Sequence, residues 1–432
     1  MKISSVKGFH DILPDESARW NRMEAQAREV FTRYGYHEIR IPILEKTEVF
    51  SRSIGEATDI VEKEMYTFED GDGSSVTLRP EGTAAVVRAY VEHALHQREP
   101  FWKLYYIGPM FRRERPQKGR LRQFHQIGVE AIGRDDAAVD AEVVLLLHDL
   151  ISAVKVRDPR IDLNSLGCSD CRPRYVELLR RFGEQRRDQL CENCKRRLER
   201  NPLRLLDCKV ESCQTATADA PVIVDHLCDA CRAHFETVRG LLAREQVETH
   251  LNPRMVRGLD YYCRTAFEVS AAGLGAQSAV GGGGRYDGLV RSFGGPDTTG
   301  IGFALGVERL LLAIDEEHDT TRPPPEIFLA PLDRAAESEA THLAHTLRRD
   351  GMRVEVPSAG KSLKSQMRSA DRLGAPYVLI MGADELAAKA VTVRDMAGKR
   401  NFPLAINIPT TAAELRAALV RLRAEPPLEQ HP

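Results

Sequence analysis

Phe111-Arg112-Arg113-Glu114-Arg115-Pro116-Gln117-Lys118-Gly119-Arg120-Leu121-Arg122-Gln123-Phe124 is the stretch on which the reading of the fold turns. Five arginines, a lysine, a proline and a glycine cannot lie in a core, so the segment is a loop. The flanking residues Trp102–Ile107 and Phe124–Ile132 have strand chemistry, which predicts an antiparallel pair joined by a long cationic loop. A run of like charge is most often a solvated face. Here aromatic residues bound the run and Glu114 is embedded in it, so a nucleotide or RNA phosphate chain is the competing reading.

Working outward, Pro14 followed by Trp20, Met23, Ala27, Val30 and Phe31 at helical spacing predicts a helix over Asp15–Tyr34, stopped by Gly35. Tyr36–Leu44 alternates like a strand, but Pro42 within it favours an edge or a bend. Met65–Phe68 and Ser75–Leu78 read as a hairpin, and a helix is expected from Thr83 to about His96. From Cys168 to about Arg239 the composition shifts to cysteine pairs and helical Leu/Arg patterns, the mark of an inserted module. Strand-like chemistry resumes over Arg254–Val269 and through the glycine run at Gly281. The spacer Arg322-Pro323-Pro324-Pro325 precedes an alternation of short strands and helices, which predicts a small α/β domain with a largely parallel sheet. The tail Glu425–Pro432 is expected to be loose. The expected class is therefore α+β: an antiparallel sheet flanked by helices over residues 1–167 and 241–322, a mostly helical cysteine-rich insertion over 168–240, and an α/β domain over 323–432.

A chain of 432 residues has room for two or three domains, each with its own core. A net charge of -2 announces no polyanion partner, so any such partner must meet a local basic patch. The N-terminus carries no apolar run of signal-peptide length, and nothing later approaches the length that crosses a bilayer. A cytoplasmic protein with no membrane partner is expected.

Three further motifs carry chemistry. Arg257-Gly258-Leu259-Asp260-Tyr261-Tyr262 places a cation, an anion and two phenols around a glycine, a set suited to a small zwitterion, although tyrosines beside an Arg-Asp pair are often a satisfied strand end. Gly281-Gly282-Gly283-Gly284-Arg285-Tyr286-Asp287-Gly288-Leu289 is neither a P-loop, lacking Gly-Lys-Ser/Thr, nor a dinucleotide fingerprint. Cys168/Cys171, Cys191/Cys194, Cys208/Cys213 and Cys228/Cys231 have metal-site spacing, with Cys263 left over. Eight thiols could make two tetrahedral structural Zn2+ sites, against a reduced, metal-free module.

Together these stretches resemble the class II aminoacyl-tRNA synthetases. The basic loop resembles their motif 2, Gly302-Phe303-Ala304-Leu305-Gly306-Val307-Glu308-Arg309-Leu310 their motif 3, and Tyr36–Val49 with Pro42 the dimer-forming motif 1. The Arg257 and Gly281 stretches look like the histidine-specific motifs of the histidyl-tRNA synthetase family, and the match extends through Thr77–Thr83 and Gln123–Glu130. Lys361–Met367 and Val393–Met396 resemble the anticodon-binding domain of that group. The resemblance implies a homodimeric enzyme that activates L-histidine with ATP and Mg2+ and passes it to its tRNA. Glu81, Thr83 and Gln126 would receive the α-ammonium, while Glu130, Tyr261 and Tyr262 would form the imidazole side of the pocket. Arg112, Arg257 and Arg309 would serve the attacking carboxylate and the phosphates; Phe124 would stack on adenine, with Glu114 at its amino group. Arg115, Lys118 and Arg120 would meet the acceptor end of the tRNA. The serious rival is a catalytically silent relative that binds histidine as a regulatory subunit. Such relatives typically lack the anticodon domain and the arginine motif, both present here. A purely RNA-binding protein would have no use for Arg112, Arg257 and Arg309 together.

Overall fold

A computed structural model of the chain describes residues 3–55, 58, 60–274, 278–314, 324–357, 360–405 and 410–424. Arg322 and Pro323 of the expected spacer, and the tail Glu425–Pro432, lie outside the described residues. The chain divides into two compact units, Met1–Thr321 and Arg322–Pro432.

The first unit is built on an eight-stranded sheet in the order His37–Glu38, Trp102–Phe111, Gln123–Ile132, Gly300–Gly306, Ala279–Arg285, Cys263–Ser270, Arg160–Ser165, His250–Leu251. The six central strands pair antiparallel, and only the two short edge strands join parallel. The expected hairpin around the basic loop is present, in register from Trp102↔Ile132 to Phe111↔Gln123.

Side chains alternate across this sheet. Ile127, Val129, Ala131, Ile301, Phe303, Leu305, Phe267 and Val269 turn to one face and are buried with the helices Pro14–Arg33 and Ala137–Ala153 in the largest core cluster. Each fully buried Ile, Leu or Phe of that face contributes about 1.5–3 kcal/mol. The other face carries Phe124, Gln126, Gly128 and Glu130 from one strand, Gly302, Ala304 and Gly306 from the next, then Gly282 and Gly284, then Ala266 and Glu268. Towards the strand Trp102–Phe111 this face also carries Leu104, Tyr106 and Met110, buried in a second core with Val86, Val87 and Tyr90 of the helix Thr83–Glu92. Only its glycine-bearing part, around Glu130, Gln126, Gly302 and Gly282, is left as a polar floor.

Pro42 breaks the segment expected to be one strand: His37–Glu38 lies on the edge of the large sheet, while Leu44–Lys46 joins Ser75–Leu78 and Tyr66–Glu69 in a three-stranded sheet. Buried Arg79 ties these parts together, its Nε donating to the Pro109 carbonyl (2.8 Å) and its Nη1 to that of Pro42 (3.1 Å). The helix from Thr83 ends at Glu92, because Ala94 takes a left-handed φ of 47° before a separate turn over Leu95–Arg98. The strand expected from Arg254 begins only at Cys263. Residues 254–262 run as loop, and the carbonyls of Gly258 and Tyr262 accept from the insertion instead of from a ladder.

Between Cys168 and Arg244 the chain is helical: Arg172–Glu184, Glu192–Arg200, Glu211–Ala216 and Asp229–Arg244, with short 3-10 turns between them. The last of these helices packs against the main core through Phe235, Val238 and Leu242.

The second unit has a five-stranded sheet ordered Val354–Glu355, Ile327–Pro331, Tyr377–Met381, Ala390–Asp395, Arg400–Ala405. The expected parallel arrangement holds for its first three strands only. Ala390–Asp395 and Arg400–Ala405 are antiparallel. The connection Gly382–Lys389 is too short for a parallel crossover, and Met396–Lys399 is a tight turn, so neither strand can return parallel.

Candidate active site

The floor and wall of the site are set by the sheet register. Glu130 stands opposite Gly302, where a Cβ would come within 2.1 Å of Glu130 Oε2, so a glycine is required for that carboxylate to lie against the sheet. Glu130 is 0% exposed. Its Oε1 accepts from the Thr83 hydroxyl at 2.7 Å and its Oε2 from the Tyr286 hydroxyl at 2.6 Å. Burial pushes its pKa from 4.5 up to about 8, against the two hydroxyl donors that favour the charge.

Glu81 sits one turn away at the start of the helix Thr83–Glu92, its carboxylate accepting from the backbone N–H of Thr83 (2.7 Å) and of Ala84 (2.9 Å). An anion at a helix N-terminus is favoured by the dipole. Burial outweighs this and the nearby Arg112 charge, and raises the pKa. Tyr261 donates to the same carboxylate at 3.4 Å and packs against Tyr262, ring centres 4.6 Å apart, and against Tyr286 at 6.0 Å. Gln126 shares the strand face of Glu130, and its buried Oε1 has no hydrogen-bond partner among the described residues.

Arg257 closes the far side. Its guanidinium lies 5.5 Å over the Tyr262 ring and donates to Glu268 at 2.9 Å, while its Nε is buried without a hydrogen-bond partner among the described residues. A Cβ at Gly282 would stand 2.9 Å from Arg257 Nη1, so the glycine strand is the surface on which this cation rests.

The basic loop folds back as a hairpin: the Arg112 N–H donates to the Arg122 carbonyl, and Gln117 and Arg120 exchange backbone bonds. Arg112 lies 5.1 Å over the Phe124 ring, its Nε donating to the Pro80 carbonyl beside Glu81. Glu114 pairs with Arg120 at 3.4 Å. Gly119, at φ 72°, brings the loop tip against Leu312 and Arg309 of the helix Val307–Ala313. Burial foremost, then the Arg120 charge, lowers the pKa of Arg309. Arg115 and Lys118 are exposed. A polar cavity of about 560 Å³ is lined by Lys63, Glu64, Arg113, Glu114, Arg115 and Arg120, among others. The structure therefore gathers Glu81, Thr83, Glu130, Tyr261 and Tyr262 at one end and Glu114, Arg120 and Arg309 at the other, with Arg112 and Arg257 between.

The cysteines form two nested groups, Cys168/Cys171 with Cys228/Cys231 and Cys191/Cys194 with Cys208/Cys213. Cys263 stands apart, its pKa pushed up to about 12, first by burial and then by Asp287.

Three contributors escaped the sequence reading. Tyr286 bonds Glu130, and within the stretch Gly281–Leu289 nothing local marks its hydroxyl as a partner of a carboxylate two strands away. Glu268 pairs with Arg257 because register sets it beside Gly282, on which the loop lays the guanidinium. Asp140 receives Arg285 Nε at 2.8 Å and His234 Nε2 at 2.7 Å, joining the end of the glycine strand to the long helix and the insertion; nothing local in the sequence links the three.

The model of one protein family, described as histidyl-tRNA synthetase, matches residues 8–310, and that of the anticodon binding domain matches residues 326–413. A histidine–tRNA ligase of Syntrophotalea carbinolica is 52% identical over 406 residues, 94% of this chain and 97% of its own. One of Geobacter metallireducens is 54% identical over 394 residues, covering 91% of this chain and 95% of its own. The crystal structure of apo S. aureus histidyl-tRNA synthetase superposes with a TM-score of 0.79 at 36% identity, over 98% of this chain and 99% of that one. With the polar sheet face, its glycine floor and the arginines beside it, these matches show that the chain belongs to the histidyl-tRNA synthetase family.

Proposed function

We propose that the chain is a histidine–tRNA ligase, joining L-histidine to ATP as histidyl-adenylate with release of pyrophosphate and then passing the histidyl group to the terminal adenosine of its tRNA. The observation that carries this reading is the buried Glu130 carboxylate, held by Thr83 and Tyr286 on the sheet face whose Gly282 supports Arg257.

In this reading Glu130 and Tyr262 take the two imidazole nitrogens, with Tyr261 closing the pocket. Thr83 and Tyr286 each fill one lone pair of the Glu130 oxygens, and a ligand without those nitrogens would leave the remaining acceptor capacity of the buried carboxylate unused, which is how such a site discriminates. Glu81, Thr83 and the unbonded Oε1 of Gln126 receive the α-ammonium. Arg257 and Arg112 neutralise the carboxylate and the α-phosphate as one oxygen attacks phosphorus and pyrophosphate departs. Arg309 holds the terminal phosphate, and Phe124 with Glu114 holds adenine. The chemistry requires no protein nucleophile, so positioning and fixed positive charge supply the rate. In the second step a ribose hydroxyl attacks the activated carbonyl and AMP leaves. Arg115, Lys118 and Arg120 on the exposed loop are offered to the acceptor end of the tRNA, and the unit Arg322–Pro432 to its anticodon.

Mg2+ belongs with the ATP phosphates. Among the described residues the groupings of three or more metal-ligating side chains are the two cysteine sets, and thiolates select zinc over magnesium. The segment around Pro42 suits the family's dimer contact, and the proposed assembly is a cytoplasmic homodimer. The rival regulatory reading has no use for the second unit or for the Arg112, Arg257 and Arg309 set. Histidine-dependent exchange of labelled pyrophosphate into ATP tests the proposal: exchange with histidine and with no other amino acid is expected, and its absence from folded protein would return the regulatory reading to first place.

A further inference from the structure

In each cysteine set all four sulfurs lie within 4.8 Å of one another. The Sγ–Sγ separations are 3.8 Å for Cys168–Cys171 and for Cys168–Cys228, and 4.0 Å for Cys191–Cys208. Four thiolates at about 2.3 Å from a central zinc ion form a tetrahedron with edges of roughly 3.8 Å. The spacing is that of such a tetrahedron and about twice the ~2 Å of a disulfide. Backbone N–H groups also point at the sulfurs: Cys168 to Cys171 Sγ at 3.3 Å, Asp170 to Cys168 Sγ at 3.4 Å, and Cys191 to Cys213 Sγ at 3.1 Å. Such donors stabilise charged thiolates around a metal.

Both sets adjoin residues that grip the Arg257–Tyr262 loop, which belongs to no helix or strand. Arg172 follows Cys171 directly, and its Nη1 donates to the Tyr262 carbonyl at 2.6 Å. Gly167, just before Cys168, accepts the Arg264 N–H at 2.8 Å, and the Leu166 N–H donates back to the Arg264 carbonyl at 2.7 Å. Between Cys194 and Cys208, Asn201 donates to Asp260 Oδ1 at 3.0 Å and Arg204 donates to the Gly258 carbonyl. The loop that carries Arg257 and both tyrosines is thus fastened from residues placed by the cysteine groups.

We propose that each cysteine set holds one zinc ion, and that the ion at Cys168/Cys171/Cys228/Cys231 fixes Arg172 against the Tyr262 carbonyl, so that metal occupancy sets the affinity for histidine. This rests on the reading of residues 257–262 as part of the histidine pocket. Arg172 is a positioning residue: it touches backbone and acts through Tyr262.

The test uses the full-length protein purified under reducing conditions. Elemental analysis should find about two zinc ions per chain. Cys228→Ser should lower that to about one and raise the KM for histidine in pyrophosphate exchange by roughly tenfold or more, with the KM for ATP nearly unchanged. Arg172→Ala should give the same shift in histidine KM with both zinc ions retained, and Arg172→Lys should recover part of it. A zinc content near zero in protein with normal histidine KM would overturn the proposal, as would an unchanged histidine KM in Arg172→Ala. Should Cys228→Ser fail to fold, stepwise removal of zinc from the wild type by a chelator gives the same reading, and a histidine KM indifferent to the zinc removed overturns it. A zinc-loaded wild type without exchange activity would overturn the histidine reading and the coupling together, while the zinc count would still report on the two sites alone.

Discussion

Arg257 and Glu268 stand 2.9 Å apart beside Gly282 of the glycine strand, an ion pair with the cation mostly buried and the carboxylate partly in solvent. The pair holds the guanidinium over Tyr262 with one buried N–H left for a ligand. Arg257→Ala is expected to lower the rate of pyrophosphate exchange by roughly a hundredfold or more, the scale of losing one preorganised donor to developing charge. The fold and its melting temperature should change little by comparison. An unaffected exchange rate would remove Arg257 from the mechanism.

Glu130 gives a pH dependence with a definite sign. Its folded-state pKa of about 8 lies above the ordinary 4.5, so between these values the folded protein holds a proton that the unfolded chain has lost. The contribution to stability is therefore full at the acid end of the window and falls away as pH rises through about 8. Glu130→Gln keeps a neutral side chain throughout. Urea unfolding measured across this window should show the wild type losing stability relative to the Gln variant as pH increases, and parallel profiles would contradict the raised pKa.

How much of this was legible beforehand depends on the range over which each feature is determined. The hairpin around the basic loop, the proline break at Pro42 and the strand–helix alternation after residue 325 follow from local chemistry, and all were read from the sequence. The pairing of Cys168/Cys171 with Cys228/Cys231, across some sixty residues, was not, because spacing within a pair says nothing about which pairs meet. Glu268 and Tyr286 were missed for a related reason. Register sets Glu268 beside Gly282, and the loop that lays Arg257 on Gly282 completes the pair, both being properties of the folded chain rather than of any window of sequence. The largely parallel sheet expected after residue 325 is parallel in its first three strands and gives way to antiparallel pairing where the connections are short, a length written in the sequence itself.

Gly302 on the sheet face and Gly288 in the turn after the glycine strand are separated by what a methyl group would meet. At Gly302 it would lie 2.1 Å from Glu130 Oε2 and 2.2 Å from the Val129 carbonyl, whereas at Gly288 it would meet nothing within 4 Å. Gly302→Ala should cost about 1–3 kcal/mol by overpacking and displace Glu130, raising the KM for histidine. Gly288→Ala serves as the control, expected to leave both the melting temperature and KM near wild type. Equal tolerance at the two positions would mean that Glu130 is not held against the sheet.

Arg285 and Asp140 are both 0% exposed and joined at 2.8 Å, and their remaining atoms are also engaged: Arg285 with Asp287 at 2.8 Å and the Arg134 carbonyl at 2.7 Å, Asp140 with His234 at 2.7 Å. Removing one partner strands the other charge in a site that water cannot reach. Arg285→Ala is therefore expected to destabilise the first unit by roughly 3–5 kcal/mol, well beyond the effect of the packing it deletes. The double variant Arg285→Met with Asp140→Leu removes both charges, and it should recover much of that loss, because the cost comes from the unpaired charge. Since His234 lies on the last helix of the insertion, Arg285→Ala should also speed amide exchange in Asp229–Arg244 beyond that in the Ser75–Leu78 strand of the small three-stranded sheet. Uniform acceleration in both would show that the network does not couple the insertion to the glycine strand.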